Sequence, residues 1–216
     1  MHSGHRSRLK QKFKNGEHLE DHELLELALY YVIPRCDTNA TAHLLINRFG
    51  SLRGIFCASE AELCSVKGIG KSSATYIRVV AEIIMRSKLD ACDTRRLLSS
   101  KAELECFLSA LFFATPNEEV HALFFDKKNR YISEECIGTG DAIGSSVNLR
   151  KLLSLSKEKG VACVILAHNH TNGIPFPSTR DEDVTRTIAM ALESNKIRLI
   201  EHYIVTNDRC YPIINA

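Results

Sequence analysis

Beyond residue 100 the chain alternates between two kinds of segment, and this alternation limits the possible folds more than any other feature. Lys101–Phe113 reads as a helix, and five apolar runs read as strands: Val120–Asp126, Arg130–Ile137, Val161–Ala167, Arg198–Thr206 and Arg209–Ile214. Lys127-Lys-Asn-Arg130 is a tight turn, so the first two strands are expected to pair as a hairpin. Leu149–Lys159 and Ser178–Asn195 read as helices between the later strands. Strands interleaved with helices restrict this part to an α/β or α+β domain.

The first ninety residues carry a different pattern. Asp21–Val32 places Leu24, Leu25, Leu27 and Ala28 at helical spacing, and Pro34 ends the segment. Thr41–Phe49 gives a second helix, stopped by Gly50. Ser59 and Glu62 form a capping box that opens a short helix through Val66. Ser72–Lys88 is longer, with Ala74, Ile77, Val80, Ala81 and Ile84 on one face. Helical character fades over Leu89–Ser99. A multi-domain chain is therefore expected, with an all-α domain over 1–90, a linker over 91–99 and an α/β domain over 100–216.

Composition excludes several classes. With 44% hydrophobic and 25% charged residues, the chain is not of the disordered type. No apolar run approaches the ~18 residues needed to span a bilayer, so no membrane partner is expected. Met1–Lys14 is basic with no apolar stretch behind it, which argues against a secretory signal and for the cytoplasm. Eight cysteines include no Cys-x-x-Cys pair, which excludes a zinc ribbon and a thioredoxin-type motif and suits free thiols in a reducing compartment. The net charge of +2 permits nucleic-acid contact without requiring it.

The strongest chemical signal is Ala167-His-Asn-His-Thr-Asn-Gly-Ile-Pro-Phe-Pro-Ser-Thr-Arg-Asp181. His168 and His170 directly follow an apolar strand, and on an extended backbone they project to the same side, where two imidazoles can converge on one metal ion. Ser178 and Asp181 follow at the start of the next helix, three residues apart, so Asp181 can return as a third ligand. Two His and one carboxylate leave a fourth position open, as a catalytic zinc site requires. The His-x-His pair alone is weakly specific; the fixed offsets of Ser178 and Asp181 make the set rare. The contrary reading is a polar loop whose histidines cap a helix.

This spacing is that of the JAMM/MPN+ (JAB1) metalloprotease motif, and within that superfamily the chain resembles the bacterial RadC family. The resemblance also covers Leu123-Phe-Phe-Asp-Lys-Lys-Asn-Arg130, Val164-Ile-Leu-Ala-His-Asn-His170 and Leu199-Ile-Glu-His-Tyr-Ile-Val205. It implies a mixed-sheet MPN/JAB-like domain and a Zn²⁺ cofactor held by His168, His170 and Asp181. It implies an upstream glutamate acting as base. The family's spacing from Asn129 to Gly140 points to Glu135, with Glu134 facing the other way. Ser178 would hydrogen-bond the oxyanion, and the reaction would be hydrolysis of a peptide or isopeptide substrate. Two departures from the family pattern stand out: Thr171-Asn172 where the family has Pro-Ser, and Val147-Asn148-Leu149-Arg150 where it has Val-His-Pro-Arg. Neither removes an expected ligand.

Val66-Lys-Gly-Ile-Gly-Lys-Ser-Ser-Ala74 joins two helices through a Gly-x-Gly turn. It resembles the helix-hairpin-helix that the RadC family carries at its N-terminus. Gly68 and Gly70 let the backbone turn tightly, the N–H groups of residues 70 to 73 are expected to be unpaired, and Lys67 and Lys71 add charge. DNA backbone contact without sequence readout would follow. The alternative is an αα-hairpin used for packing. Arg6, Arg8, Lys10, Lys12 and Lys14 could join a basic face, though a solvated terminus is the commoner fate of such a run.

The leading expectation is thus a zinc-dependent JAMM-type hydrolase joined to a helix-hairpin-helix module. The alternative is a DNA-binding protein of repair or recombination whose metal domain is a nuclease or does not turn over. A nuclease of the HNH type is disfavoured by the Ser and Asp spacing, and zinc deaminase chemistry by the lack of Pro-Cys-x-x-Cys. Homodimerisation is left open.

Overall fold

The computed structural model describes residues 2–34, 36–140, 147–206 and 209–214, and the chain divides into two compact units, 1–84 and 85–216. No helix among the described residues is long and apolar enough to cross a membrane.

In the first unit the helices are α1 (His2–Lys14), α2 (Asp21–Leu29), α3 (Thr38–Phe49), α4 (Leu52–Cys57), α5 (Glu60–Cys64) and the first part of α6 (Lys71–Asp90). Each boundary has a local cause. Glu20 and Glu23 form a capping box on α2, the Asp37 carboxylate accepts from Asn39 N–H at the start of α3, and Ser59 and Glu62 form the expected box on α5. Gly50 ends α3 in the left-handed region at φ 79°. Leu25, Leu29, Leu45, Ile55, Leu63, Val66, Ile69 and Ile77 form one buried cluster.

The basic N-terminal run is not a solvated tail. It forms α1, which buries Leu9 against Leu27 and Tyr30 and pairs Lys12 with Glu23 at 3.0 Å. Arg6 donates to the Cys36 carbonyl at 2.6 Å and covers the Tyr30 ring. One deeply buried leucine among charged residues gives no helical stripe that sequence patterning would detect.

The second unit contains the rest of α6, a 3₁₀ turn at Thr94–Arg96, α7 (Lys101–Leu111), β1 (Glu119–Phe125), β2 (Tyr131–Thr139), α8 (Leu149–Glu158), β3 (Cys163–Asn169), α9 (Thr179–Ser194), β4 (Arg198–Thr206) and β5 (Arg209–Pro212). Its sheet has the order β2-β1-β3-β4-β5 and is mixed: β3 and β4 are parallel, the other pairs antiparallel. β1 and β2 form the expected hairpin, with Asn129 in the left-handed region at the turn. The chain reaches β4 from β3 through α9, the crossover that a parallel pair requires.

Strand alternation divides the interior in two. Leu123, Phe125, Ile165, Ala167 and Val205 face α7, whose Leu104, Phe107, Leu108 and Leu111 pack on them. Cys92 and Leu97, within the stretch expected to be a linker, are buried in this layer. Val120, Ala122, Phe124, Val164 and Leu166 face the other way, against Leu152, Ile188 and Leu192 from α8 and α9. β3 lies centrally and is buried at every position, which is why its sequence is a continuous apolar run without alternation.

Candidate metal centre

The expected ligands converge where β3 leaves the sheet and α9 begins. His168 is the penultimate residue of β3 and fully buried, and His170 follows just outside the strand. Gly173 at φ 77° turns the loop back. Asp181 is the third residue of α9, and its carboxylate closes a capping box by accepting from Ser178 N–H and Oγ–H at 2.7 Å each. The same box that starts the helix thus aims Asp181 at the histidines. His168 Nε2 and His170 Nε2 lie 2.9 Å apart, and the Asp181 oxygens stand 3.7 Å and 3.6 Å from them.

The hydrogen bonds behind the ligands fix their protonation. Thr185 Oγ1 donates to the Asp181 carbonyl at 2.6 Å, since that carbonyl can only accept. Thr185 Oγ1 therefore accepts from His202 Nδ1–H at 2.6 Å, and His202 Nε2 accepts from His168 Nδ1–H at 2.8 Å. The lone pair of His168 is left on Nε2, inside the cluster. On His170 the same result comes from Nδ1–H donating to the Ile174 carbonyl at 2.7 Å. Both free nitrogens and the carboxylate point at one spot, all within 4.8 Å of one another, which is the donor set a zinc ion takes.

The electrostatics agree. Burial, with the His202 ring adding to it, holds His168 well below the usual histidine range, and burial pushes His202 down to about 4. Both are neutral at pH 7, which leaves His168 able to ligate and His202 able to accept from it. Burial would raise the Asp181 carboxyl, but the facing His170 ring and the hydrogen bonds from Ser178 outweigh it and hold the group well below the carboxylate range. The Asp181 carboxylate facing its Nε2 at 3.6 Å raises His170 against the effect of burial, and the charge of Glu118 contributes.

The structure places Glu135 apart from the three candidate ligands. Its carboxylate is held by Lys159 Nζ at 2.8 Å, with Lys151 Nζ at 4.0 Å. In the ladders Glu135 pairs with Ala122, and Ala122 pairs with Leu166, so Glu135 stands beyond β1, at the level of Leu166 rather than of His168. Glu134 points to the opposite face and hydrogen-bonds His121 Nδ1 at 2.7 Å. The carboxylate that the register brings to the centre is Glu118. Val120 pairs with His168 in the antiparallel ladder, and that register continued by two residues would set Glu118 opposite His170, whose ring its charge reaches. Asn169 fixes this end of β1: its Oδ1 accepts from Glu119 N–H at 2.8 Å and its Nδ2 donates to the Asn117 carbonyl at 2.9 Å.

Sequence reasoning missed both Glu118 and His202. Glu118 differs from Glu135 only through strand register. His202 carried a signal, a histidine inside an apolar strand. Asn172, one of the two departures in the loop, accepts from Ile174 N–H at 2.9 Å and so shapes the turn that holds His170.

At the N-terminal motif, α5 and α6 are joined through Val66–Gly70, with Ile69 buried and Lys67, Gly68, Gly70 and Lys71 exposed around it. Gly68 has φ 95°, and a Cβ there would lie 2.5 Å from Thr41 Oγ1. The Gly70 N–H, expected to be free, donates to Ser73 Oγ at 2.9 Å.

The family model described as RadC-like JAB domain matches residues 98–215, more than half of the chain. The match contains every strand of the sheet and all three candidate ligands and leaves out the helices of the first unit.

Proposed function

The chain belongs to the RadC-like JAB domain family, and we propose that its second unit is a zinc-dependent hydrolase of the JAMM type acting on peptide or isopeptide bonds. One observation carries this reading: His168 Nε2, His170 Nε2 and the Asp181 carboxylate converge, each fixed from behind by a hydrogen bond. A zinc ion there would supply Lewis acidity and lower the pKa of a water to about 7.

The remaining roles fall to the chain's own groups. Glu118, facing His170 across the ladder, takes a proton from the attacking water and returns it to the leaving amine. Ser178 Oγ–H, which donates to Asp181, turns toward the oxyanion as charge develops. His202 and Thr185 keep His168 in the ligating tautomer. The decisive experiment measures bound zinc and peptide hydrolysis for wild type, His170→Ala and Glu118→Gln. We expect near-stoichiometric zinc in the wild type, its loss in His170→Ala, and zinc without turnover in Glu118→Gln. No zinc in the wild type after reconstitution refutes the reading.

A second reading concerns the first unit. Exposed Lys67, Gly68, Gly70 and Lys71 around buried Ile69 support a helix-hairpin-helix that contacts DNA phosphates. Salt-dependent binding of duplex DNA, weakened by Lys67→Glu with Lys71→Glu, tests it.

A further inference from the structure

A second cluster of metal-ligating groups lies on the other face of the sheet, where β1 and β2 pair beneath α7. His121 pairs with Cys136 in the ladder, Glu119 lies two residues before His121, and Glu134 two residues before Cys136. The four side chains therefore share one face. His121 is buried, its ring edge-on to Phe112 at 5.2 Å between centroids. We propose that Glu119, His121 and Cys136 form a second zinc site, separate from the His168 centre.

The hydrogen bonds assign the roles. His121 Nδ1 lies 2.7 Å from Glu134 Oε2, and Nε2 lies 3.0 Å from Glu119 Oε2. One ligand atom from each of Glu119, His121 and Cys136 lies within 4.8 Å of the others. Glu134 thus stands behind the ring as the acceptor for Nδ1–H, and Nε2 faces the Glu119 carboxylate, with Cys136 in the same cluster. A carboxylate behind a histidine whose other nitrogen faces a ligand set is the arrangement that orients metal-bound imidazoles. The Cys136 sulfur decides the class of ion: thiolate with imidazole and carboxylate suits zinc and disfavours calcium and magnesium.

Binding would release ligand protons, that of the Cys136 thiol among them, to solvent. The site would staple the edge hairpin at the register irregularity between Val120 and His121, beside Glu118.

The test uses the full chain, stripped with chelator and titrated with Zn²⁺ and, separately, with Co²⁺ as a spectroscopic substitute. Two zinc ions per chain are expected in the wild type and one in each of Cys136→Ser, His121→Ala and His170→Ala. Cobalt should give a near-ultraviolet sulfur-to-metal band in the wild type and in His170→Ala but not in Cys136→Ser, because the His168 centre has no thiolate. Cys136→Ser changes one atom, so a folding failure of His121→Ala does not remove the test. A single zinc lost in His170→Ala, or a sulfur band that persists in Cys136→Ser, overturns the proposal. A single zinc lost in Cys136→Ser but kept in His170→Ala would uphold it and refute the hydrolase reading.

Discussion

Acidifying the metal-free protein should destabilise it through His202, and His202→Gln should remove that sensitivity. His202 is wholly buried and neutral, with a pKa of about 4 against 6.5 for an ordinary histidine. Its folded-state pKa lies below its unfolded value, so between the two the unfolded chain binds the proton and the folded chain does not. Its contribution is therefore fully favourable above pH ~6.5 and falls as the pH drops toward 4. At about 1.4 kcal/mol per pKa unit, the loss from this residue reaches about 3 kcal/mol. His168, also held low, acts in the same direction. His170 is raised, so its stabilisation is fully present below its unfolded pKa and is flat over this window; Asp181 is lowered, and its contribution is lost only below the window. Glutamine keeps a donor and an acceptor but cannot titrate. The chain has no tryptophan, so urea unfolding in chelator is best followed by far-ultraviolet circular dichroism from pH 7 to 4.5. The slope of unfolding free energy against pH should fall in His202→Gln by up to about 1.4 kcal/mol per pH unit. An unchanged slope would refute the assignment of His202 as a buried neutral histidine.

Three further outcomes are expected. His202→Ala should weaken zinc binding by about 10- to 100-fold in a chelator competition, because His168 loses the acceptor that sets its tautomer. Glu118→Gln should lower peptide hydrolysis by about 10²- to 10⁴-fold with zinc content intact, whereas Glu135→Gln should leave hydrolysis unaltered. Gly68→Ala should destabilise the first unit by about 1–3 kcal/mol in thermal unfolding, since φ 95° is strained for alanine and its Cβ would meet Thr41 Oγ1.

What could be read from the sequence was local. The apolar run into His168, the offset to Ser178 and the capping box at Asp181 are all written within about twenty residues, and the three expected ligands stand together. The hairpin turn at Lys127–Arg130 and the box at Ser59 are equally local. What the sequence could not convey was register. Glu118-Glu119 at the start of β1 and Glu134-Glu135 within β2 are both adjacent pairs, and on extended backbone each sends one carboxylate to either face. Only the pairing of Val120 with His168 distinguishes Glu118 from Glu135. His202 arrives from a parallel strand beyond a helical crossover, and nothing near it in sequence names its partner. The short helix α4 escaped notice because six residues carry too little periodicity.

The tripeptide His168-Asn169-His170 shows why the candidate ligands converge despite the departures from the family pattern. Its outer members are the candidate ligands. Its middle member uses both ends of its amide on the backbone of residues 117 and 119, and so holds the chain on either side of Glu118. The ligands are in turn held by groups away from the altered loop positions: His168 by His202, Asp181 by Ser178, and His170 by the backbone carbonyl of Ile174. Because a carbonyl performs that last role, the identity of residues 171 and 172 matters only through the turn they allow. Asn172 meets that requirement by accepting from Ile174 N–H. A ligand set resting on a strand end, a helix cap and a main-chain carbonyl keeps its geometry when the loop sequence drifts, and the drift is then free to alter what the loop admits to the centre.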